Sequence, residues 1–206
     1  QSRSVHWDRY QILQGYMLTG GVPFYLKMLE PQQSFAQNVD RLCFSDTGAL
    51  KMEFDELYNA IFPGAESYVE VVRALADNKS GLTRTEISTK TKISGAYLTR
   101  ILTNLERCDF IDKTNLFGNR RTDAVYRLVD FYTLFYFKFV EKNLSRDDQW
   151  WTHHLESIHG WDSPSSLYAC CTMHRSRRHW AYREWLHPFP PGVVALTRKT
   201  EHPGHR

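Results

Sequence analysis

The side chains best suited to chemistry in this sequence lie in one short stretch, Gly95 to Arg107. Leu98, Ile101, Leu102 and Leu105 recur at helical spacing and mark a buried stripe. Ala96, Tyr97, Thr99, Arg100, Thr103 and Asn104 then fall on the lateral and opposite faces. Arg and Asn make bidentate hydrogen bonds to base edges, and Tyr and Thr hydroxyls hold phosphates, so this set suits a helix that reads a groove of double-stranded DNA. Lys90, Lys92, Arg120 and Arg121 would straddle the sugar-phosphate backbone. The charge is thin for that task. Residues 66–130 carry eleven basic against nine acidic side chains, whereas affinity for nucleic acid rests largely on phosphate neutralisation. A helix packed on a neighbouring protein domain stands beside DNA contact as the equal alternative.

No catalytic motif accompanies this helix. The sequence has no Gly-x-x-x-x-Gly-Lys-Ser/Thr loop, no His-Glu-x-x-His and no Gly-x-Ser-x-Gly. Asp147 and Asp148 fit a solvated helix start, and His153, His154 and His159 fit surface histidines without a spaced partner. Cys170 and Cys171 lie near His174 and His179, but vicinal cysteines do not share a tetrahedral zinc in the usual spaced manner, so no metal site is expected. Cys43 and Cys108 sit singly in apolar stretches, as small buried hydrophobes do. Four cysteines without a framework fit a reducing, cytoplasmic setting.

The elements that must position the helix can be read on either side of it. Ser67 to Ala76 is amphipathic through Tyr68, Val69, Val72, Leu75 and Ala76, and Asp77 to Gly81 stops it. Thr83-Arg84-Thr85-Glu86 is a capping box that opens a short second helix ending near Thr91. Ser94 is placed to cap the third, making a helix-turn-helix. Phe110–Phe117 and Thr122–Val129 then read as two strands around the basic tip Gly118-Asn119-Arg120-Arg121, the form of a wing. Ahead of this unit, Trp7–Met28 is helical but broken at Thr19–Pro23, where Pro23 opens a new helix as its first residue. Ser34–Phe44 and Leu50–Phe62 read as two more helices, the second with Met52, Phe54, Leu57, Tyr58 and Ile61 inward. Phe131–Lys142 is a helix so aromatic that it must pack against another element.

A 206-residue chain that is 42% hydrophobic and 24% charged is globular in composition. The most apolar run, Phe131 to Val140, includes Lys138 and is too short to span a bilayer, and no signal peptide is evident. Beginning with Gln1 rather than Met, the chain is expected to be a fragment with a missing upstream part. Its net charge of +3 is unevenly spread, because residues 165–206 hold seven Arg and Lys against two Glu. The remainder is slightly negative.

Leu18-Thr19-Gly20-Gly21-Val22-Pro23-Phe24-Tyr25-Leu26, then Phe35-Ala36-Gln37-Asn38 with Asp40-Arg41-Leu42, then Glu53-Phe54-Asp55-Glu56-Leu57-Tyr58, resemble the region after the nucleotide-binding core in a prokaryotic family of AAA+/STAND-type ATPases. Leu82-Thr83-Arg84 and Asp130–Tyr136 extend the resemblance, which covers about residues 7–160. It implies a P-loop ATPase domain upstream, a helical lid over residues 1–62, a winged helix over 66–130, and a C-terminal nuclease-like domain that residues 131–161 would lead into. In related ATPases a Gly-x-Pro lid motif packs its proline near the adenine, and Gly20, Gly21 and Pro23 are similar to that motif. ATP and Mg would belong to the parent protein only, with no cofactor for these residues alone.

The tail departs from the family, whose members continue past a Trp into a Gly-x-x-Phe-Glu pattern. Back-translating Trp161–Pro188 with permitted codons and reading from each third base allows Gly-Leu-Ala-Phe-Glu-Leu-Val-Cys-Leu-Leu-His-His-Ala, which resembles the expected continuation. Residues 162–206 are therefore expected to be an out-of-frame, disordered tail. Their rival reading is a basic, aromatic arm, in which Arg177, Arg178 and Trp180 contact nucleic acid. The expected fold class is mainly α: a helical lid followed by a winged helix-turn-helix with a short β-hairpin. The expected function is a regulatory and interaction fragment of an ATP-binding protein, and the alternative is a stand-alone winged-helix DNA-binding regulator. No catalytic site is expected within the chain.

Overall fold

Asp8 caps the first helix: its carboxylate accepts the Gln11 amide at 2.8 Å, and the Gln11 side chain accepts the Asp8 amide at 3.2 Å. The computed structural model describes residues 7–115, 124–143 and 147–154. Arg120 and Arg121, expected at the tip of a wing, and the whole of the expected tail lie outside these residues.

Helix α1 (Arg9–Thr19) ends where Gly20 turns left-handed at φ 61°, followed by Gly21 at 72°. Such φ values are open to glycine at little steric cost. Pro23 is the first residue of α2 (Pro23–Lys27), where its missing amide proton leaves no hydrogen bond unmade. The loop after α2 is tied by Asn38, which is fully buried, accepts the Glu30 amide at 2.7 Å and donates to the carbonyls of Glu30 and Ser34 at 3.0 Å each. Ser34 caps α3 (Phe35–Val39), which widens into a π-turn over Asp40–Phe44 rather than continuing as the single helix expected over 34–44. Helix α4 (Ala49–Ile61) buries Leu50, Phe54 and Tyr58. Met52 and Ile61, expected inward, are 59% and 40% exposed. At about 100° per residue Met52 stands on the far side from Leu50, and beyond Ile61 it is Phe62 that turns inward.

The next elements are α5 (Ala65–Ala76), β1 (Leu82–Thr83), α6 (Arg84–Thr91), α7 (Gly95–Arg107), β2 (Ile111–Asn115) and β3 (Ala124–Leu128). The strands form an antiparallel sheet in the order β1-β3-β2, with Leu82 opposite Tyr126 and Ile111 opposite Leu128. Ala124, Tyr126 and Leu128 alternate inward along β3. The two-residue β1 escapes the local pattern because its partner lies more than forty positions away. Helix α8 (Phe131–Phe135) again widens into a π-turn, Tyr136–Val140, and α9 (Trp150–His153) comes after it. The described residues are thus mainly helical with one small sheet, and none of the described helices is long and apolar enough to cross a membrane.

A continuous core runs through these elements from Met17 to Trp151. Its middle is aromatic. Phe54 stacks on Tyr136 at 3.8 Å, Phe62 on Tyr68 at 4.3 Å, and Tyr58 meets Phe110 at 5.2 Å. Fully buried Tyr58 shares a 3.1 Å hydrogen bond with Thr133, also fully buried, and Tyr132 donates to the Leu50 carbonyl at 2.5 Å. These bonds join α4 to α8 across the helices and sheet that separate them in sequence.

Candidate functional site

The leucine stripe of α7 is inward as expected, with Leu98, Ile101, Leu102 and Leu105 all buried. That leaves Ala96, Tyr97, Thr99 and Arg100 exposed on its first turns. The Arg100 guanidinium lies 5.1 Å from the Tyr97 ring centroid, a cation–π contact that pairs the two at the surface. Thr99 is already engaged: its hydroxyl donates to the Gly95 carbonyl at 3.3 Å and receives Arg84 Nη2 at 3.3 Å. Asn104 is turned away from this face. It is half-buried and donates to the Tyr68 hydroxyl at 2.8 Å, so its amide ties α7 to α5. Lys90 and Lys92 are exposed beside the turn, and no salt bridge among the described residues involves Lys90, Lys92 or Arg100.

Local hydrogen bonds fix the start of α6 and tie it to the start of α7. The Thr83 hydroxyl accepts the Glu86 amide at 3.3 Å, and the Glu86 carboxylate accepts the Thr83 amide at 2.7 Å, as the capping box predicts. The Glu86 carboxyl is held below its ordinary value, first by the Thr83 amide and then by the Thr83 hydroxyl. Lys92 ends α6 in the left-handed region at φ 57°. Ser94 occupies the position before α7, but its side chain makes no capping hydrogen bond, contrary to expectation. Arg84 fulfils a different role across the turn, donating to the Gly95 carbonyl at 2.8 Å. Sequence reasoning passed over Arg84 because its partner is eleven residues away and is a backbone oxygen.

The second candidate surface is the Gly20–Phe24 corner. Gly21 is covered by the Tyr16 ring, which a Cβ there would meet at 2.4 Å. Pro23 is exposed and Phe24 is 60% exposed. Behind the corner, a Cβ on Gly20 would lie 3.8 Å from the Asp130 carboxylate. Asp130 caps α8 by accepting the Thr133 amide at 2.8 Å, and its own amide donates to the Phe110 carbonyl at 3.2 Å, alongside that of Val129 at 2.9 Å. Asp130 therefore ties the start of α8 to the root of β2 and lies beside the corner.

The two cysteines expected to be buried differ: Cys43 is buried and Cys108 is exposed, just past the last turn of α7. Burial pushes the Cys43 thiol well above its ordinary range. His153, expected to lack a partner, is 2.7 Å from Asp147. No group of three or more His, Cys, Asp or Glu among the described residues is arranged to hold a metal ion. Comparison with protein-family models, with curated proteins and with solved structures finds no match to this chain.

Proposed function

We propose that this chain is the coupling part of an ATP-binding protein, a helical lid joined to a winged helix. In it, nucleotide state felt at Gly20, Gly21 and Pro23 is passed to the face of α7. ATP and Mg would be held by an ATPase domain outside these residues, since the sequence has no P-loop of its own. The setting would be cytoplasmic. The observation that carries this reading is the position of Asp130, which lies beside Gly20 and whose amide donates to the Phe110 carbonyl. A displacement of the corner reaches the sheet and α7 through packed groups rather than through a flexible linker. The element order α5-β1-α6-α7-β2-β3, with β3 central in the sheet, agrees with a winged helix-turn-helix. The test is hydrogen exchange on the full-length gene product with and without ATP. Nucleotide should change protection at residues 20–24 and at 95–107 together. A change at the corner alone would refute the coupling.

The exposed Tyr97–Arg100 pair favours a second reading, in which α7 contacts double-stranded DNA. Binding should then fall with salt, and Arg100→Ala and Arg120→Ala should each weaken it. No binding at low salt, or binding indifferent to both changes, would refute this reading.

A further inference from the structure

Helix α7 begins on an exposed stretch with little packing around it. Lys92, Ser94, Gly95, Ala96 and Tyr97 are all exposed, and a Cβ on Gly95 would meet no atom within 4 Å. The backbone is left-handed at Lys92 and again at Gly95, with φ 57° and 63°. Ile93 packs against the core before the helix, and Leu98 is the first buried residue within it. The leading amides of a helix have no acceptor inside it, and the Ser94 side chain supplies none here.

Among the described residues, every hydrogen bond that joins α6 to α7 comes from a single side chain. Arg84 Nη2 donates to the Gly95 carbonyl at 2.8 Å and to the Thr99 hydroxyl at 3.3 Å, and that hydroxyl donates to the same carbonyl at 3.3 Å. Arg84 is itself well placed to hold, because it is the first residue of α6 and follows directly on the Thr83–Glu86 capping box. It forms no salt bridge among the described residues that would draw it elsewhere. Gly95 and Thr99 stand one turn apart, with Tyr97 between them in sequence and Arg100 next to Thr99. The triangle of Arg84, Gly95 and Thr99 thus fastens the turn that carries the exposed Tyr97–Arg100 pair.

We infer that Arg84 is a positioning residue for DNA contact: by holding the first turn of α7 from α6, it sets where Tyr97 and Arg100 meet the duplex. This role rests on the second reading above, in which α7 contacts double-stranded DNA. A first turn that is already ordered does not have to be ordered on binding, and that saving appears as affinity. Both of the bonds from Arg84 leave one nitrogen, so the ammonium of a lysine can replace them in part.

The test is binding of mixed-sequence double-stranded DNA by the 206-residue chain and its Arg84→Gln and Arg84→Lys variants, titrated at stepped salt. Arg84→Gln should weaken binding about tenfold. The slope of log affinity against log salt should stay that of the parent chain, because no phosphate contact is lost. Arg84→Lys should recover most of the affinity, and the helical circular dichroism of both variants should match the parent. A slope shallower by about one in Arg84→Gln would overturn the inference, because Arg84 would then be a phosphate contact itself. Binding lost in step with helical signal would also overturn it, since Arg84 would then serve folding alone. If the parent binds and both variants bind equally well, the positioning role fails while the DNA reading stands. No binding by the parent at low salt refutes that reading, and the role of Arg84 with it.

Discussion

The hydrogen bond between Tyr58 and Thr133 offers a direct measure of how firmly the first four helices are joined to α8. Both side chains are fully buried and their oxygens are 3.1 Å apart, with no route for solvent to replace a missing partner. Tyr58→Phe leaves the Thr133 hydroxyl without this partner, and Thr133→Val, which keeps the side-chain shape, strands the Tyr58 hydroxyl. Each change should cost about 1–3 kcal/mol, the penalty for a buried polar group left unsatisfied. With both removed, no group remains stranded, so the double variant should be more stable than the sum of the single losses by about 1–2 kcal/mol. Urea unfolding monitored by circular dichroism reads this directly. With an m-value of about 2 kcal/mol/M, a loss of about 2 kcal/mol moves the midpoint by about 1 M. Strictly additive single losses would show that the two hydroxyls do not depend on each other. A second, separate unfolding transition would refute the shared core itself.

Three further outcomes rest on particular residues. Gly81→Ala should cost about 1–3 kcal/mol in thermal unfolding, because Gly81 sits at φ 83° and a Cβ would meet the Tyr126 carbonyl at 2.6 Å; a neutral change would show that the β1–β3 junction is loose. Glu86, held below the ordinary carboxyl value, contributes stability that is complete above its unfolded-state value and is lost as pH falls through the lowered one. Glu86→Gln should therefore flatten part of the acid limb in urea unfolding at stepped pH, and parallel limbs would contradict the cap. Asn104→Ala should lower stability by about 1 kcal/mol through the lost Tyr68 bond while leaving any DNA affinity close to that of the parent chain. A large loss of DNA binding with intact stability would place Asn104 at the interface instead.

The features legible in the sequence were local ones. The capping box at Thr83, Pro23 at a helix start and the leucine stripe of α7 depend on neighbours within about one turn, and the chain places them as its residue spacing implies. The alternation of β3 was legible for the same reason. Features with distant partners were not. Asp40 reads as one more acid in a helix, because the amides it holds are more than a hundred positions away. The π-turns give no periodic signal, since aromatic residues at 44, 136, 137 and 139 fit an ordinary helix as well as a widened one. Met52 and Ile61 were assigned inward on hydrophobicity alone, and only the azimuth set by Leu50, Phe54 and Tyr58 separates them from the core. Of the candidate surface, Tyr97 and Arg100 were legible, whereas the commitment of Asn104 to Tyr68 required the packing of α7 on α5.

The aromatic seam between α4 and α8 also bears on how the chain is made. Seventy-five positions separate Tyr58 from Thr133. At about 5–20 residues per second, a translating ribosome therefore holds the apolar face of α4 without its cover for roughly 4 to 15 s. Helices and hairpins close in microseconds, so α1 to α4 have time to form and then wait, presenting Phe54, Tyr58 and Phe62 to the surrounding solution. A nascent chain arrested in that interval carries a sticky surface that the finished protein does not show, and it is at this stage of synthesis that a holding chaperone has a target.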